Sequence, residues 1–217
     1  MNVQEKYQRL EDTVRSYNPG ANFDLIRSAF LYAEEHHRGQ NRKDGSPYIT
    51  HPLEVAHLVA DLGLDADSII AALLHDTIED TDATHEDIAR TFSPTIADIV
   101  EGVSKLTRVQ AASKAEEQME NLRKMLLAMS KDIRVILIKM ADRLHNMRTM
   151  EYQTPEKQKQ KSLETMEIYA PIAHRLGMQK MKWELEDLSL KYLDPIGYQE
   201  IIDALEEKAS EYDGFMA

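Results

Sequence analysis

Apolar residues recur every three or four positions along most of the chain, the spacing that lines one face of an α-helix. FDLIRSAFLYAEEHHRGQ, residues 23–40, shows the pattern and runs out near Gly39. NRKDGSPYIT then breaks it, with Asp44-Gly45 and Ser46-Pro47 as turn signals. PLEVAHLVADLG resumes the helical period, with Pro52 suited to a first turn and Gly63 to an end. DADSIIAALLHDT is the next helix, with Asp65 or Asp67 as N-cap. THEDIARTF opens on Thr84 with Asp87 three residues on, a relative of the capping box. SPTIADIVEGVSKLTRV begins with a Ser93-Pro94 cap and holds Gly102 inside it. KAEEQMENLRKMLLAMS and DIRVILIKMADRLHNMRTM are amphipathic, and residues 108–118 before them read as a polar, mobile loop. TPEKQKQKSLETMEIYAPIAHRLG predicts a helix kinked at Pro171, and QKMKWELEDLSLKYL and PIGYQEIIDALEEKASEY predict two more. Period-two alternation is nearly absent. The expected fold is all-α, an irregular multi-helix bundle.

Composition narrows the chemistry. With 217 residues and 42% hydrophobic content the chain can build a core. Its net charge of −12 argues against a DNA- or RNA-binding surface spread over the protein. There are no cysteines, so any metal must be held by histidine and carboxylate. The start, MNVQEKYQRLEDTVRSY, is a charged helical pattern rather than a signal peptide. No apolar run approaches the roughly 20 residues of a membrane span. A cytoplasmic protein is the expectation.

One stretch is out of character. LLHDTIED brings a histidine and three acids to the end of the most apolar helix. His75 and Asp76 are candidate metal ligands where a helix ends and leaves room for both to reach one ion. His51, starting a helix after a loop, and Asp142, on an apolar helix face, are further candidates. Two imidazoles and two carboxylates suit a borderline divalent ion, Mn²⁺, Fe²⁺, Co²⁺ or Zn²⁺. The other histidines read as bystanders: His36 and His37 at a helix end, His85 in solvent, His57 structural, His145 and His174 buried and hydrogen-bonded.

Four ordered pieces, GSPYITHP, LLHDTIEDT, IVEGVSKLTRV and IKMADRLHNMRT, resemble the hydrolase domain of long RelA/SpoT-type alarmone enzymes, a variant of the HD phosphohydrolase superfamily. The likeness continues through ETMEIYAPIAHRLGMQKMKWELEDLSLKYL. It implies an HD-domain bundle holding a metal, usually Mn²⁺, on His51, His75, Asp76 and Asp142. The implied reaction removes the 3′-pyrophosphate of guanosine tetra- or pentaphosphate. By position, Glu79 and Asp80 would activate water. Arg42 would lie against the guanine and Lys43 near a phosphate. Asn146 and Thr149 match nucleotide-contacting positions.

The residues are consistent with that chemistry. A divalent ion neutralises a phosphoryl oxygen and acidifies water. If the helix runs on past His75, Glu79 shares its face. Cations gather where an anionic substrate would need them: Arg38, Arg42 and Lys43 at the loop, Lys139, Arg143 and Arg148 around Asp142, and Lys105 and Arg108 on the helix between. Residues 1–195 are expected to form the hydrolase domain. Residues 196–217 are expected to be a helical extension toward a synthetase domain that this shortened chain lacks. Trp183 and Tyr192 would mark the missing partner's face if exposed. An HD phosphohydrolase acting on a dNTP or NADPH, or a catalytically silent alarmone sensor, is the alternative.

Overall fold

The computed structural model describes residues 2–107, Arg123, Leu127 and 131–216, with side chains described through Glu206 and at Lys208. The expected loop at 108–118, most of the helix expected at 114–130 and Arg108 lie outside the described residues. No strand forms among those described; one isolated antiparallel bridge joins Asn41 and Pro47. The all-α expectation holds. The chain divides into two compact units, Met1–His145 and Asn146–Ala217.

The first unit contains α1 (Val3–Tyr17), α2 (Phe23–His36), α3 (Thr50–Asp61), α4 (Ala66–Leu74), α5 (Thr77–Asp80), α6 (His85–Thr91) and α7 (Pro94–Thr107). Most of α8 (Ile133–Arg148) also belongs to it. Its centre is α4. Every residue from Ser68 to Leu74 is buried, against α2, α3 and α7. A helix apolar on all sides can only sit in a core. The expected caps form: Asp65 accepts from the Ser68 amide and Ser93 from the Ile96 amide, while Thr84 and Asp87 close a capping box. Gly102 has a packing reason. A Cβ there would stand 2.9 Å from Val135 Cγ2, so the glycine lets α7 and α8 approach closely.

The second unit begins with a 3₁₀ turn (Met150–Tyr152) and continues as α9 (Pro155–Glu164), a π turn (Thr165–Tyr169) and α10 (Ala170–Arg175), all but the 3₁₀ turn packed on α11 (Gln179–Leu193). The long α12 (Pro195–Met216) follows. Pro171 has no N–H and its ring crowds the carbonyl four residues back. The helix accommodates it by widening just before, where the Ala170 N–H bonds to the Thr165 carbonyl five residues back. Ile168, Tyr169, Ile172, Ala173, Met181 and Leu185 form this unit's core. Trp183 remains 62% exposed and Ile196 75%. Tyr192 is half-buried.

Candidate metal centre

Helix α4 ends at Leu74, and α5 restarts at Thr77. Between them Asp76 adopts φ −94°, ψ −8°, at the edge of helical space. Neighbours on an unbroken helix point about 100° apart. The break lets His75 and Asp76 converge. It also decides a condition: the helix does not run on unbroken, so the stacking of Glu79 over His75, expected only if it did, has no continuous helix to support it. Instead the Asp80 N–H bonds to the Asp76 carbonyl at 2.9 Å, a one-turn link between those two acids.

Three separate stretches of the chain supply the converging atoms. His51 comes from the first turn of α3, His75 and Asp76 from the α4–α5 junction, and Asp142 from α8. His51 Nε2 lies 3.4 Å from Asp76 Oδ2 and 3.3 Å from Asp142 Oδ1. His75 Nε2 lies 3.1 Å from Asp76 Oδ1 and 4.0 Å from Asp142 Oδ1. Ligand atoms about 2.0–2.2 Å from a shared ion stand about 2.8–3.6 Å apart at octahedral or tetrahedral angles, and three of the four separations fall in that range. His51, His75 and Asp142 are all buried, with ligand atoms within 4.8 Å of one another.

Surrounding groups set the protonation pattern. His75 Nδ1 is 2.8 Å from the Ala72 carbonyl, so that nitrogen carries a hydrogen and donates it. This directs Nε2 into the cluster, where it is buried without an aligned hydrogen-bond partner despite the nearby Asp76 oxygen. An orphaned imidazole nitrogen facing carboxylates fits a bound cation. His51 Nδ1 is 2.7 Å from His145 Nδ1, and a hydrogen on the His51 side frees its Nε2 as a ligand. His145 suits the acceptor role: burial, then repulsion from His51 and Arg42, takes its pKa down to about 3. Burial likewise lowers the pKa of His51.

Lys139 Nζ donates to Asp142 Oδ2 at 2.7 Å, leaving Oδ1 toward the histidines. Burial opposes charge on Asp142, but Lys139 and the two histidines outweigh it and hold its pKa well below the usual carboxylate range. Asp76 is lowered as well, burial again being outweighed by His75 and His51. Burial also opposes charge on His75; Asp76, Asp142 and the Ala72 carbonyl together outweigh it and raise its pKa to about 9. Two carboxylates and one lysine leave one net negative charge when both imidazoles are neutral. A proton on His75 cancels it. A divalent cation in the proton's place leaves one net positive charge, which suits an anionic substrate.

Loop residues reach the same cluster. Arg42 to Gly45 form a tight turn: the Gly45 N–H bonds to the Arg42 carbonyl at 3.0 Å, and the Ser46 amide and hydroxyl both bond to Asp44. Gly45 has φ +84°, a conformation suited to glycine. The Arg42 guanidinium lies 5.8 Å from the Tyr48 ring centre, and the Tyr48 hydroxyl contacts Asp76 at 2.8 Å. Lys43 is exposed on the turn, and Glu79 is half-buried on α5. Asn146 and Thr149 fall in the second unit, where the Thr149 hydroxyl donates to the Asn146 carbonyl at 3.4 Å.

Several side readings need revision. Arg148 is held by Glu184 through two contacts, at 2.5 and 2.9 Å. Lys105 pairs with Glu101, and Arg38 with Glu35. His37 is buried with its ring flat against Tyr48, whereas His36 pairs with Asp82. His174 is exposed where burial was expected, whereas His57 has the structural place expected of it, buried and bonded to the Lys6 carbonyl. Tyr48 was missed altogether, although it stands three residues before His51.

An all-helical unit with two imidazoles and two carboxylates converging between buried helices defines a class of helical domains built to hold a divalent metal. Comparison with known proteins narrows the class. A family profile described as "HD domain" matches residues 29–179, and the chain belongs to that family. It is 52% identical over 192 residues to the GTP pyrophosphokinase of Streptomyces coelicolor, covering 88% of this chain and 22% of that protein. It is 47% identical over 207 residues to the GTP pyrophosphokinase rsh of Brucella melitensis, covering 95% and 28%. The chain thus spans about a quarter of the length of the curated relatives it matches. Among solved structures it is similar to a metazoan ortholog of SpoT described as hydrolyzing ppGpp, with a TM-score of 0.52, 28% identity, and coverage of 81% of this chain and 95% of that one. These relatives agree with the RelA/SpoT-type resemblance read from the motifs.

Proposed function

We propose that this chain hydrolyses the 3′-pyrophosphate of guanosine tetra- or pentaphosphate, giving GDP or GTP and pyrophosphate. The observation that carries the reading is the convergence of His51, His75, Asp76 and Asp142 in a chain similar over most of its length to a ppGpp-hydrolysing protein. These four residues would hold the ion, Mn²⁺ in our reading. Bound there, it would neutralise a phosphoryl oxygen and lower the pKa of a water. Glu79 and Asp80, on the short helix following the ligands, would take the proton from that water or hold it in line. Arg42 would stack on the guanine, and Lys43 would meet a phosphate. Asn146 and Thr149 would contact the nucleotide. Residues 1–195 would form the hydrolase domain and 196–217 an extension toward a synthetase domain of a longer protein. No described helix is long and apolar enough to cross a membrane.

The test is pyrophosphate release from guanosine tetraphosphate across a panel of divalent ions, with dNTPs and NADPH as competitors. Release with Mn²⁺ that the competitors leave unchanged is expected. Nucleotide binding with no release under any ion contradicts the enzyme and indicates a sensor.

A further inference from the structure

We propose that Tyr48 is a positioning residue, a brace that ties the ligand Asp76 to the acid Asp80 and so fixes both the metal site and the water-handling acid. The catalytic half of this proposal rests on the hydrolase reading; the metal half does not. The phenol oxygen lies 2.8 Å from Asp76 Oδ2 and 2.7 Å from Asp80 Oδ2. These carboxylates are four residues apart, Asp76 at the N-cap of α5 and Asp80 at its end, one turn away, where like charges repel. A phenol has one hydrogen and donates to one carboxylate at a time. Sitting between the two, it gives each a nearby donor and holds their spacing.

The brace is itself held. The Tyr48 ring stacks on His37 with centres 4.5 Å apart and planes 19° from parallel. His37 Nδ1 meets Gln40 Oε1 at 2.9 Å, and Gln40 Nε2 donates to the Asp80 carbonyl at 3.2 Å. From Tyr48 through Asp80, Gln40 and His37 the contacts return to Tyr48, a closed circuit linking the end of α2, the loop and α5. The Tyr48 ring also meets the His51 ring nearly edge-on, with centres 6.2 Å apart. Every member is an ordinary polar or aromatic group, yet together they fix the geometry around a ligand, and such supporting contacts typically govern affinity or activity by about 10–100-fold.

The experiment compares wild type, Tyr48→Phe, Asp80→Asn and the double variant. Phenylalanine keeps the ring and its stacking while removing the hydroxyl. Mn²⁺ affinity, read by electron paramagnetic resonance titration, is expected to weaken about tenfold in Y48F. At saturating Mn²⁺, kcat for pyrophosphate release should also fall about tenfold, with KM within about twofold. In the Asp80→Asn background the same change should cost kcat less than about twofold, because the acid it holds is already disabled. His37→Leu, which leaves the hydroxyl but removes its stacking support, should weaken Mn²⁺ binding about threefold. It carries the metal test if Y48F does not fold.

Unchanged Mn²⁺ affinity in the folded variant overturns the link to Asp76. Kinetic effects of Y48F and D80N that simply multiply overturn the link to Asp80. A metal deficit in Y48F beside a wild-type chain that releases no pyrophosphate leaves the brace standing and overturns the hydrolase reading instead.

Discussion

The two units bury different kinds of polar group. In the first, His51, His75, Lys139, Asp142 and Arg143 are buried between apolar helices. In the second, the buried polar side chains among the described residues are hydroxyls. Thr165 and Ser189 satisfy theirs at the Lys161 and Leu185 carbonyls, both at 2.7 Å, while the Ser162 hydroxyl is buried without a partner. Both units leave some large apolar side chains in solvent, the two most exposed, Trp183 and Ile196, in the second. Burying ionisable groups costs several kcal/mol each unless they are paired, whereas a hydroxyl bonded to a backbone carbonyl costs little. In the first unit the buried ionisable groups His51, His75, Lys139 and Asp142 gather where the four candidate ligands meet.

The sharpest way to break this contrast is to remove a ligand. Asp76→Ala is expected to abolish Mn²⁺ binding and, with it, hydrolysis; calorimetric titration showing wild-type affinity would remove Asp76 from the site. Glu79→Gln comes next. It should retain the ion while kcat falls by about 10² or more, as when a general base is lost, and wild-type turnover would reassign the role. Arg42→Ala is expected to weaken nucleotide binding about tenfold, the scale of one lost charged contact, while sparing the metal. Loss of the metal would instead make the loop a scaffold for His51.

A pH effect follows from His75. In the ion-free protein its pKa is raised to about 9. Its contribution to stability is therefore fully present below its unfolded pKa of about 6.5 and is lost as pH rises through 9. Thermal melts without metal should drop across that window. Mn²⁺ affinity should rise over the same range, because the ion displaces the proton. A metal-free melting profile that is flat or rising there would contradict the pairing of His75 with the aspartates. The smallest effect belongs to the second unit. Ser189→Ala should change stability by less than about 1 kcal/mol and leave Mn²⁺ binding unaltered.

Much of this was legible in the residue pattern, for local reasons. The caps at Asp65, Ser93 and Thr84 involve partners three residues away, so sequence spacing reports them directly. His75 and Asp76 stood out because a histidine and acids are anomalous beside ADSIIAALL, while His51 and Asp142 joined them as a set through the family resemblance. What escaped depends on distance along the chain. Tyr48 and Asp76 are 28 residues apart, and His51 and His145 are 94 apart, so no local pattern announces either contact. The helix end near His75-Asp76 was expected although it contains neither glycine nor proline, but nothing in LLHDTIED signals that a new helix restarts at once at Thr77. The division between units also leaves no local trace, because α8 runs unbroken from Ile133 to Arg148 across it.

The central claim is that two imidazoles and two carboxylates of the first unit share one divalent ion. Anomalous diffraction at the manganese edge, from crystals of the chain grown with Mn²⁺, addresses it directly. The account predicts one strong peak enclosed by His51 Nε2, His75 Nε2 and carboxylate oxygens of Asp76 and Asp142. Peaks confined to surface acids, with none between those four side chains, would contradict it.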